Sequence, residues 1–363
     1  MFDSRSRRGR RWPLLPVLRA AQAAVIAGAT SFTAIADWLR HSTQDARARL
    51  DFPSNGSLGV RPVPAKDTVR RLLLMTCPQG LTALLTGRAM TEGRPERLAV
   101  DGKSVRSSRT RTAHSAHLLS GCDENGLVTG QMRIPDKTNE IPCLRQLYAD
   151  VDLTDTWVTL DALHTQTETA KFLIEAKKAH FVMAMKANQP TLYAACRRLP
   201  WERAKARHTE QSRAHGQLER RTITVLTHDG LDFPHVAQVA RIYRTRTEIA
   251  TGKQTREIIH VITDLTSQQA KPHQLAAAVR GHWAIENKIH YVRDAVWSED
   301  RSRIQPGHGP ENMATLRNIA MNLLRKNGAT NIAQAVREQS YHPFTTPLDL
   351  LGLPPRPAET HSN

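Results

Sequence analysis

The pattern of apolar and polar positions predicts a helical beginning to the chain. Apolar side chains recur at helical spacing over 14–27, over 32–40, where Ser31 is placed to cap the helix, and over 65–75. A stretch rich in Pro, Gly and Ser, 52–64, separates the last two. This connection is far longer than the turn of a helix-turn-helix. The region therefore fits a helix-turn-helix and a small helical bundle with a basic surface about equally.

The middle of the chain alternates short apolar runs with helical spacing, which is typical of an α/β fold. Asn125-Gly126 lies between two apolar runs, and this dipeptide is a strong hairpin signal. The predicted elements are a strand at 98–101, a hairpin over 117–134, a helix at 139–151, a strand at 157–160, a helix at 165–179 and a strand at 181–185.

The last part of the chain changes character twice. Residues 203–265 are rich in β-branched side chains and turn formers, which predicts a β-rich insertion. A long helix at 274–296 and a shorter one at 311–324 follow. We therefore expect three parts, namely an N-terminal helical region with an Arg-rich arm at 1–90, an α/β domain at 91–345, and a Pro-rich tail at 346–363.

The composition also indicates the kind of partner that the protein binds. The 363 residues include 51 Lys and Arg against 34 Asp and Glu, a net charge of +17, which favours binding to a polyanion. Charge alone does not separate DNA from RNA or from an anionic membrane. However, no apolar run reaches the length of a membrane span. The four cysteines are too far apart in sequence for a zinc site or a disulfide framework, so we expect a cytoplasmic protein without a membrane partner.

Three carboxylates stand out by position. Asp101 and Asp161 each close a predicted strand, and Glu286 lies within the late helix. Because the carboxyl ends of neighbouring parallel strands meet at one edge of a sheet, these acids are candidates for a shared site. Carboxylate oxygens suit Mg²⁺ or Mn²⁺, and two such ions handle phosphodiester chemistry. On spacing alone, a turn or cap role for each Asp and a solvated helix face for Glu286 are the more common alternatives.

Six short motifs occur in order along the chain. They are Leu98-Ala-Val-Asp101-Gly-Lys-Ser-Val-Arg106, Lys137-Thr-Asn-Glu-Ile141, Thr159-Leu-Asp161-Ala, Lys186-Ala-Asn-Gln-Pro190, His215-Gly-Gln-Leu-Glu-Arg220 and Arg280-Gly-His-Trp-Ala-Ile-Glu-Asn-Lys-Ile-His290. In order and spacing they resemble DDE transposases of the ISAs insertion-sequence group, which includes the H-repeat-associated proteins. The resemblance extends over roughly residues 8–350, and the six motifs together are far more specific than any one of them.

The resemblance implies a fold, a reaction and partners. It implies a ribonuclease-H-like catalytic core with the β-rich insertion, preceded by an N-terminal helical region that binds DNA. Asp101, Asp161 and Glu286 would be the catalytic residues and the ligands of two Mg²⁺ or Mn²⁺ ions. The expected activity is metal-dependent DNA cleavage at insertion-sequence ends and strand transfer into target DNA. The expected partners are DNA and a second copy of the chain on DNA, near the bacterial nucleoid.

Residues within or beside these motifs are the expected DNA contacts, with caps and salt bridges as the alternative for each. They are Lys103, Arg106, Lys137, Asn139, Lys186, Asn188, Gln189, Arg220, His282, Trp283, Asn287 and Arg293. Lys137 and Asn139 would begin a helix, where backbone N–H groups favour anions. Arg293 is expected to share a helix face with Glu286 because they lie seven residues apart.

The sequence also departs from a wider pattern. The insertion-sequence-four superfamily has a Tyr-x2-Arg-x3-Glu-x6-Lys signature, and here Val279, His282 and Arg293 stand for its Tyr, Arg and Lys. His282, Glu286 and His290 resemble a zinc-ligand helix only superficially, because no third soft ligand is evident. Two alternatives stay open, namely a catalytically inactive DNA-binding relative and a ribonuclease-H-like nuclease without strand transfer.

Overall fold

The computed structural model describes residues 11–90, 93–109, 111, 114–136, 140–186, 188–214, 216–305 and 307–355. It is a mixed α/β structure, as the sequence predicts. The helices are α1 (Leu14–Ile26), α2 (Phe32–His41), α3 (Gln44–Arg49), α4 (Lys66–Met75), α5 (Pro78–Met90), α6 (Glu140–Leu147), α7 (Thr167–Lys171), α8 (Pro190–Arg197), α9 (Pro272–His282), α10 (Tyr291–Trp297), α11 (Gly309–Lys326), α12 (Ile332–Tyr341) and α13 (Thr346–Leu350). In these residues we find no helix with the length and apolar character that crossing a membrane requires.

In the residues that the structure describes, nine strands form one sheet in the order β3-β2-β1-β4-β5-β9-β8-β7-β6. They are β1 (Arg97–Val105), β2 (Ala116–Asp123), β3 (Val128–Ile134), β4 (Trp157–Leu160), β5 (His180–Met185), β6 (Ala206–Ala214), β7 (Gln217–Thr227), β8 (Gln238–Glu248) and β9 (Gln254–Thr263). Among these strands, β4 pairs in parallel with β1 and with β5, and the other pairs are antiparallel. The insertion therefore extends the central sheet, since β9 pairs with β5.

The predicted order of elements from β1 to β5 is confirmed. Strand β1 is followed by the β2–β3 hairpin, α6, β4, α7 and β5. Gly126 in the hairpin turn has φ +84°, a backbone conformation that glycine adopts without strain. The alternation of apolar residues that predicts these strands therefore corresponds to real pairing.

Alternate side chains of β1 enter two different cores. Leu98 and Val100 pack with the α6 side of the sheet, whereas Ala99 packs with the helical layer on the opposite side. Such alternation follows from the two-residue repeat of a strand. Because both faces are covered, the central strands are buried, and polar residues reach solvent at the ends of β1, β4 and β5.

The helical layer combines the beginning and the end of the chain. Helix α1 is almost entirely buried, and its Gln22 side-chain amide donates to the backbone oxygen of Leu316 in α11 at 3.1 Å. The apolar residues of α1, α2, α4 and α5 belong to one cluster with those of α10, α11 and α12. The N-terminal helices are therefore packed on the α/β part.

Two predicted boundaries are wrong. Asp101 does not close β1, because β1 pairs with β2 along its whole length to Val105 and only its first part, to Val100, pairs with β4. The long helix expected at 274–296 is interrupted. Helix α9 ends at His282, a π-helical segment spans Glu286–His290, and α10 begins at Tyr291.

Candidate active site

Asp101 and Asp161 begin next to each other on neighbouring parallel strands. Val100 of β1 pairs with Leu160 of β4, and each acid is the next residue along its strand. Since paired strands lie about 4.8 Å apart, the two backbones start side by side. Asp161 then leaves the sheet in the 3₁₀ turn Ala162–His164, where its carboxylate accepts from two backbone N–H groups.

Glu286 lies close to Asp101, although it comes from a helical segment late in the chain. It begins the π-helical segment, in which a wider turn shifts the side chains that follow. Its Oε2 lies 3.0 Å from Nδ1 of His290, and that nitrogen lies 3.7 Å from Oδ2 of Asp101. One ligand atom from each of Asp101, Glu286 and His290 falls within 4.8 Å of the others. Asp161 is not one of this group, although it acts on the charge of the neighbouring His282.

The electrostatics of the site favour a bound cation. Burial raises the pKa of Asp101, while the imidazoles of His290 and His282 act in the opposite direction. The hydrogen bond with His290 lowers the pKa of Glu286. Burial lowers the pKa of His282, whose Nδ1 lies 3.2 Å from the Thr159 hydroxyl. A half-buried carboxylate with a raised pKa is stabilised in its charged form when a cation lies beside it.

The donor set is suited to a divalent ion. Asp101 and Glu286 offer hard carboxylate oxygens, and oxygen ligands are those that Mg²⁺ and Mn²⁺ prefer. His290 is buried, and its Nδ1 is bonded to Glu286, so it is placed to orient Glu286 and is also within reach as a third ligand. The half-buried Asp161 follows β4 at the position next to the one that Asp101 has on β1.

A glutamate bonded to two histidines lies on the side of β1 opposite to Asp101. Oε1 of Glu140 lies 3.0 Å from Nε2 of His117, and Oε2 lies 3.2 Å from Nε2 of His164. Burial raises the pKa of Glu140, but the hydrogen bonds with both histidines outweigh it and lower the pKa to about 2. Because the His164 backbone N–H also donates to Asp161, Glu140 is linked to the turn that carries the second acid.

Two expected DNA contacts follow Asp101 directly. Nζ of Lys103 lies 2.5 Å from Oδ2 of Asp294 and 3.9 Å from Asp300, and the side chain is mostly buried. Arg106 is exposed, with its Nε 3.9 Å from Asp300. Lys103 is therefore held by acids of the α10 region, whereas Arg106 is open to a ligand.

The loop after β5 is tied to the turn after β4. Nδ2 of Asn188 donates to the Ala162 backbone oxygen at 2.7 Å, and Nε2 of Gln189 donates to the Thr165 oxygen at 3.0 Å. These two amides hold the Asp161 turn in place, while Lys186 is exposed. Lys137 and Asn139, also expected to contact DNA, lie outside the described residues.

The remaining expected contacts divide between surface and interior. Arg220 is exposed on β7, and Asn287 is exposed with its amide donating to the Trp283 backbone oxygen. Trp283 is half-buried, and the guanidinium groups of Arg221 and Arg244 lie 4.9 and 4.3 Å from the centre of its ring.

Arg293 differs from the expectation. Its side chain is fully buried, Nε lies 3.0 Å from Glu299, and Nη1 donates to Gln131 at 2.8 Å. The interruption of the helix between α9 and α10 turns Arg293 toward the interior, away from the face that carries Glu286. In this structure it does not present its charge to DNA.

Sequence reasoning did not single out several residues of the site. His117, His164 and Asp294 contact the acidic and basic groups described above, and they come from β2, the turn after β4 and α10. Their spacing carries no signal, because each is brought in by tertiary packing. His290 was noted only for its place on the helix of Glu286.

Comparisons with known proteins show the family of this chain. The family profile described as the transposase DDE domain matches residues 92–323, and the profile of the region associated with that domain matches residues 1–87.

Named relatives and a solved structure are also similar to the chain. A candidate transposase, YncI, of Escherichia coli O157:H7 is 29% identical over 323 residues, which is 83% of this chain and 79% of the relative. An H repeat-associated candidate transposase, YhhI, of E. coli K12 is 26% identical over 318 residues, 83% of this chain and 82% of the relative. The piggyBac transposase synaptic complex with hairpin DNA aligns at a TM-score of 0.42 and 10% identity over 98% of this chain and 77% of that one. By the profile matches, the chain belongs to the DDE transposase family, in the group of the H repeat-associated proteins.

Proposed function

We propose that this protein cuts DNA at the ends of an insertion sequence and joins the freed ends to target DNA, with Asp101, Asp161 and Glu286 as its catalytic residues. The observation that carries the proposal is the approach of Asp101 and Glu286, with Asp161 at the next strand end. Strands β1 to β5, in the order β3-β2-β1-β4-β5, support a ribonuclease-H-like core that the insertion extends.

The reaction needs no covalent enzyme intermediate. Water attacks a phosphodiester at the element's end and breaks its bond to the 3′-oxygen, which leaves as a 3′-OH. That hydroxyl then attacks a phosphodiester of the target in line and displaces the 3′-oxygen of the target strand, which leaves as a new 3′-OH. Two Mg²⁺ or Mn²⁺ ions, when bound, supply activation of the attacking oxygen and stabilisation of the leaving oxygen. The three carboxylates hold the ions, and His290 orients Glu286 through their hydrogen bond.

The protein's charge supports DNA as the substrate. The surplus of 51 basic over 34 acidic side chains favours binding along a phosphate backbone, with affinity that falls as salt rises. Because joining two ends requires both in one complex, we propose a dimer assembled on DNA. Arg106 and Lys186, both exposed beside the acids, are placed to contact the flanking phosphates.

The test is a cleavage assay on linear DNA that carries the element's own ends, with Mg²⁺ and with a chelator. We expect Asp161→Asn to abolish cleavage and to keep DNA binding. The variant loses the negative charge of one proposed metal ligand, and the hydrogen bonds of the Asp161 carboxylate are confined to its own turn. Asp150→Asn, the same change at an exposed acid, is the matched control. Retained cleavage by Asp161→Asn would overturn the proposal. A target plasmid in the same reaction separates strand transfer from simple nuclease action.

A further inference from the structure

The four strands of the insertion separate their charges by face. Side chains alternate between the two faces of a strand, and residues paired across strands share a face. Pairs such as Glu210 with Arg221, and Arg244 with Glu257, lie on one side. By this register that side holds every acidic residue of β6 to β9, namely Glu210, Glu219, Glu248 and Glu257.

On this acidic side Glu210, Glu219 and Glu257 pair with arginines, whereas Glu248 and Glu257 are exposed. Glu219 lies 2.5 Å from Arg221, 2.7 Å from Arg244 and 3.0 Å from Arg246. Trp283 stacks beneath two of these arginines, and Arg280 of α9 lies 3.1 Å from Glu210. Helix α9 thus covers the part of this side that lies on β6 and β7, where Glu210 and Glu219 are paired with arginines.

The opposite side, which we call the arginine face, carries cations and no acid on its strands. It is formed by Arg207, Arg213, Arg220, Arg241 and Arg256, together with Thr, Gln and Tyr side chains between them. All but Arg241 are exposed. Arg220 and Arg256 are the neighbours of Thr245 on its two sides, so they form a row across three strands. Within the described part of the chain, the four exposed arginines have no ion-pair partner.

The positive potential continues where this face meets α8. Burial lowers the pKa of His260 on β9, and the charges of Arg241 and Arg197 lower it further, to about 4. Arg241 lies 4.8 Å from the centre of the Trp201 ring, which covers this end of the face. Arg241 and Arg197 thus add positive charge beside His260, and Glu202 acts on Arg241 in the opposite direction.

We propose that the arginine face binds the phosphate backbone of duplex DNA without reading its sequence. This proposal rests on the proposed function. Arg, Thr, Gln and Tyr are side chains that commonly contact phosphate oxygens. The position along the strands also fits. Met185 at the end of β5 pairs with His260, so the residues of β9 that precede His260 extend beyond the end of β5. Asp161 follows β4 at the same end of the sheet. The arginine face is on the α8 side of the sheet and Asp101 is on the α9 side, so DNA held there would reach the proposed cutting site around this edge.

A second copy of this chain is a poorer occupant for the same surface. Leu218, Tyr243 and Ile258 are 44%, 38% and 48% exposed among the arginines, and on their own they would suit a protein partner. However, two copies meeting through this face would bring arginines against arginines, which is repulsive. A polyanion complements both the charge and the hydroxyl and amide groups.

The test compares two charge-matched variants. One carries Arg213→Gln, Arg220→Gln and Arg256→Gln. The control carries Lys171→Gln, Lys178→Gln and Arg337→Gln, which are exposed positions outside the insertion. Binding to a short labelled duplex of random sequence is measured by fluorescence anisotropy over a range of salt concentrations. Each lost phosphate contact removes about 0.9 from the slope of log K against log salt. We expect the first variant to lose roughly 2 to 3 from this slope and to bind roughly tenfold or more weakly at low salt.

The outcomes separate this inference from the proposed function. A third variant with Lys at the three arginine positions should keep most of the slope, because Lys supplies the same charge. Equal slopes for the Gln variant and the control would overturn the inference, provided that the wild-type chain binds and cuts DNA. A wild-type chain that fails to bind duplex DNA would instead overturn the proposed function. Weaker self-association with unchanged DNA binding would also overturn the inference.

Discussion

Gly102 separates Asp101 from Lys103 in β1, and the Glu140 carboxylate occupies the space that a side chain at position 102 would need. A Cβ placed on Gly102 would lie 2.1 Å from Oε1 of Glu140 and 2.7 Å from Nε2 of His117. The glycine is therefore required by close approach, since no heavy atom tolerates such contact. At the scale of the residue, the position of Asp101 therefore depends on the close packing of Glu140 against the neighbouring Gly102.

We predict that Gly102→Ala lowers the rate of DNA cleavage roughly 10- to 100-fold, the usual cost of disturbing groups that support metal ligands. The added methyl displaces Glu140, which is linked through His164 to the Asp161 turn. The measurement is the cleavage rate as a function of Mg²⁺ concentration. We expect the concentration for half-maximal rate to rise, which a mere loss of stability would not produce.

Gly281→Ala is the matched control for this prediction. Gly281 lies in α9, close in sequence to His282, and an added Cβ there meets no heavy atom within 4 Å. Alanine is preferred over glycine in a helix by about 1 kcal/mol. The control should keep its activity, and equal losses in both variants would show that Gly102 has no special role.

Individual residues were predictable from the sequence to different degrees. Asp161 is a candidate because it follows β4, which is visible in the apolar pattern, whereas the strand end expected at Asp101 is wrong and Asp101 instead follows the last residue of β1 that pairs with β4. The burial of Arg293 was not predictable, because its seven-residue spacing from Glu286 assumes a continuous α-helix. The partners of Glu140 also carried no signal, since His117 and His164 come from separate elements.

At the scale of the element, α10 and α11 are joined by a buried ion cluster. Glu299 is fully buried between Arg293 of α10, at 3.0 Å, and Arg317 of α11, at 2.9 Å. Burial raises the pKa of Glu299, but the charges of the two arginines outweigh it and lower the pKa. The carboxylate therefore fixes the helix that follows Glu286 against the helical layer.

We predict that Glu299→Ala destabilises the protein by about 3–5 kcal/mol, because two arginines lose their buried partner. Urea unfolding followed by circular dichroism measures the change. Glu338→Ala on α12 removes an exposed glutamate and should change the free energy of unfolding by no more than about 0.5 kcal/mol. A loss below about 1 kcal/mol for Glu299→Ala would contradict the account of the cluster as a buried pair.

The strands and the hairpin were predictable because their signals are local. The alternation in β1 and the Asn-Gly turn before β3 both depend on residues close in sequence. The interruption between α9 and α10 was not, because helical periodicity runs through 274–296 without a break. The π-helical segment inserts a wider turn that leaves the apolar pattern intact.

At the scale of the whole molecule, the first helix and the last ones share one core. Val17, Ala20 and Ala24 of α1 are completely buried in a cluster that also contains Leu316 and Ile319 of α11. The indole of Trp297 donates to the Val25 backbone oxygen at 3.0 Å. Removing the N-terminal helices would uncover this surface.

We predict that a chain starting at residue 92 fails to fold cooperatively and binds a hydrophobic dye, because α11 loses its cover. A chain starting at residue 11 keeps every contact described for α1 and is the control. Thermal unfolding and dye fluorescence are the measurements. A single cooperative transition in the shorter chain, with no dye binding, would show that the α/β part is stable alone.

Sequence could not predict how the insertion joins the sheet. Its strands were visible as a β-rich segment, but which strand would meet the core depends on pairing between β5 and β9, whose partners are 75 to 81 positions apart in the chain. The segregation of acids to one face becomes visible only when the register of all four strands is known.

The burial of α1 against α11 has a consequence for biosynthesis. The Gln22 side chain bonds a residue 294 positions later in the chain. At a translation speed of about 5–20 residues per second, the helix leaves the ribosome many seconds before its partner exists. During that interval its apolar surface is available to chaperones and proteases. The supply of finished enzyme is thus sensitive to how well the nascent chain is protected.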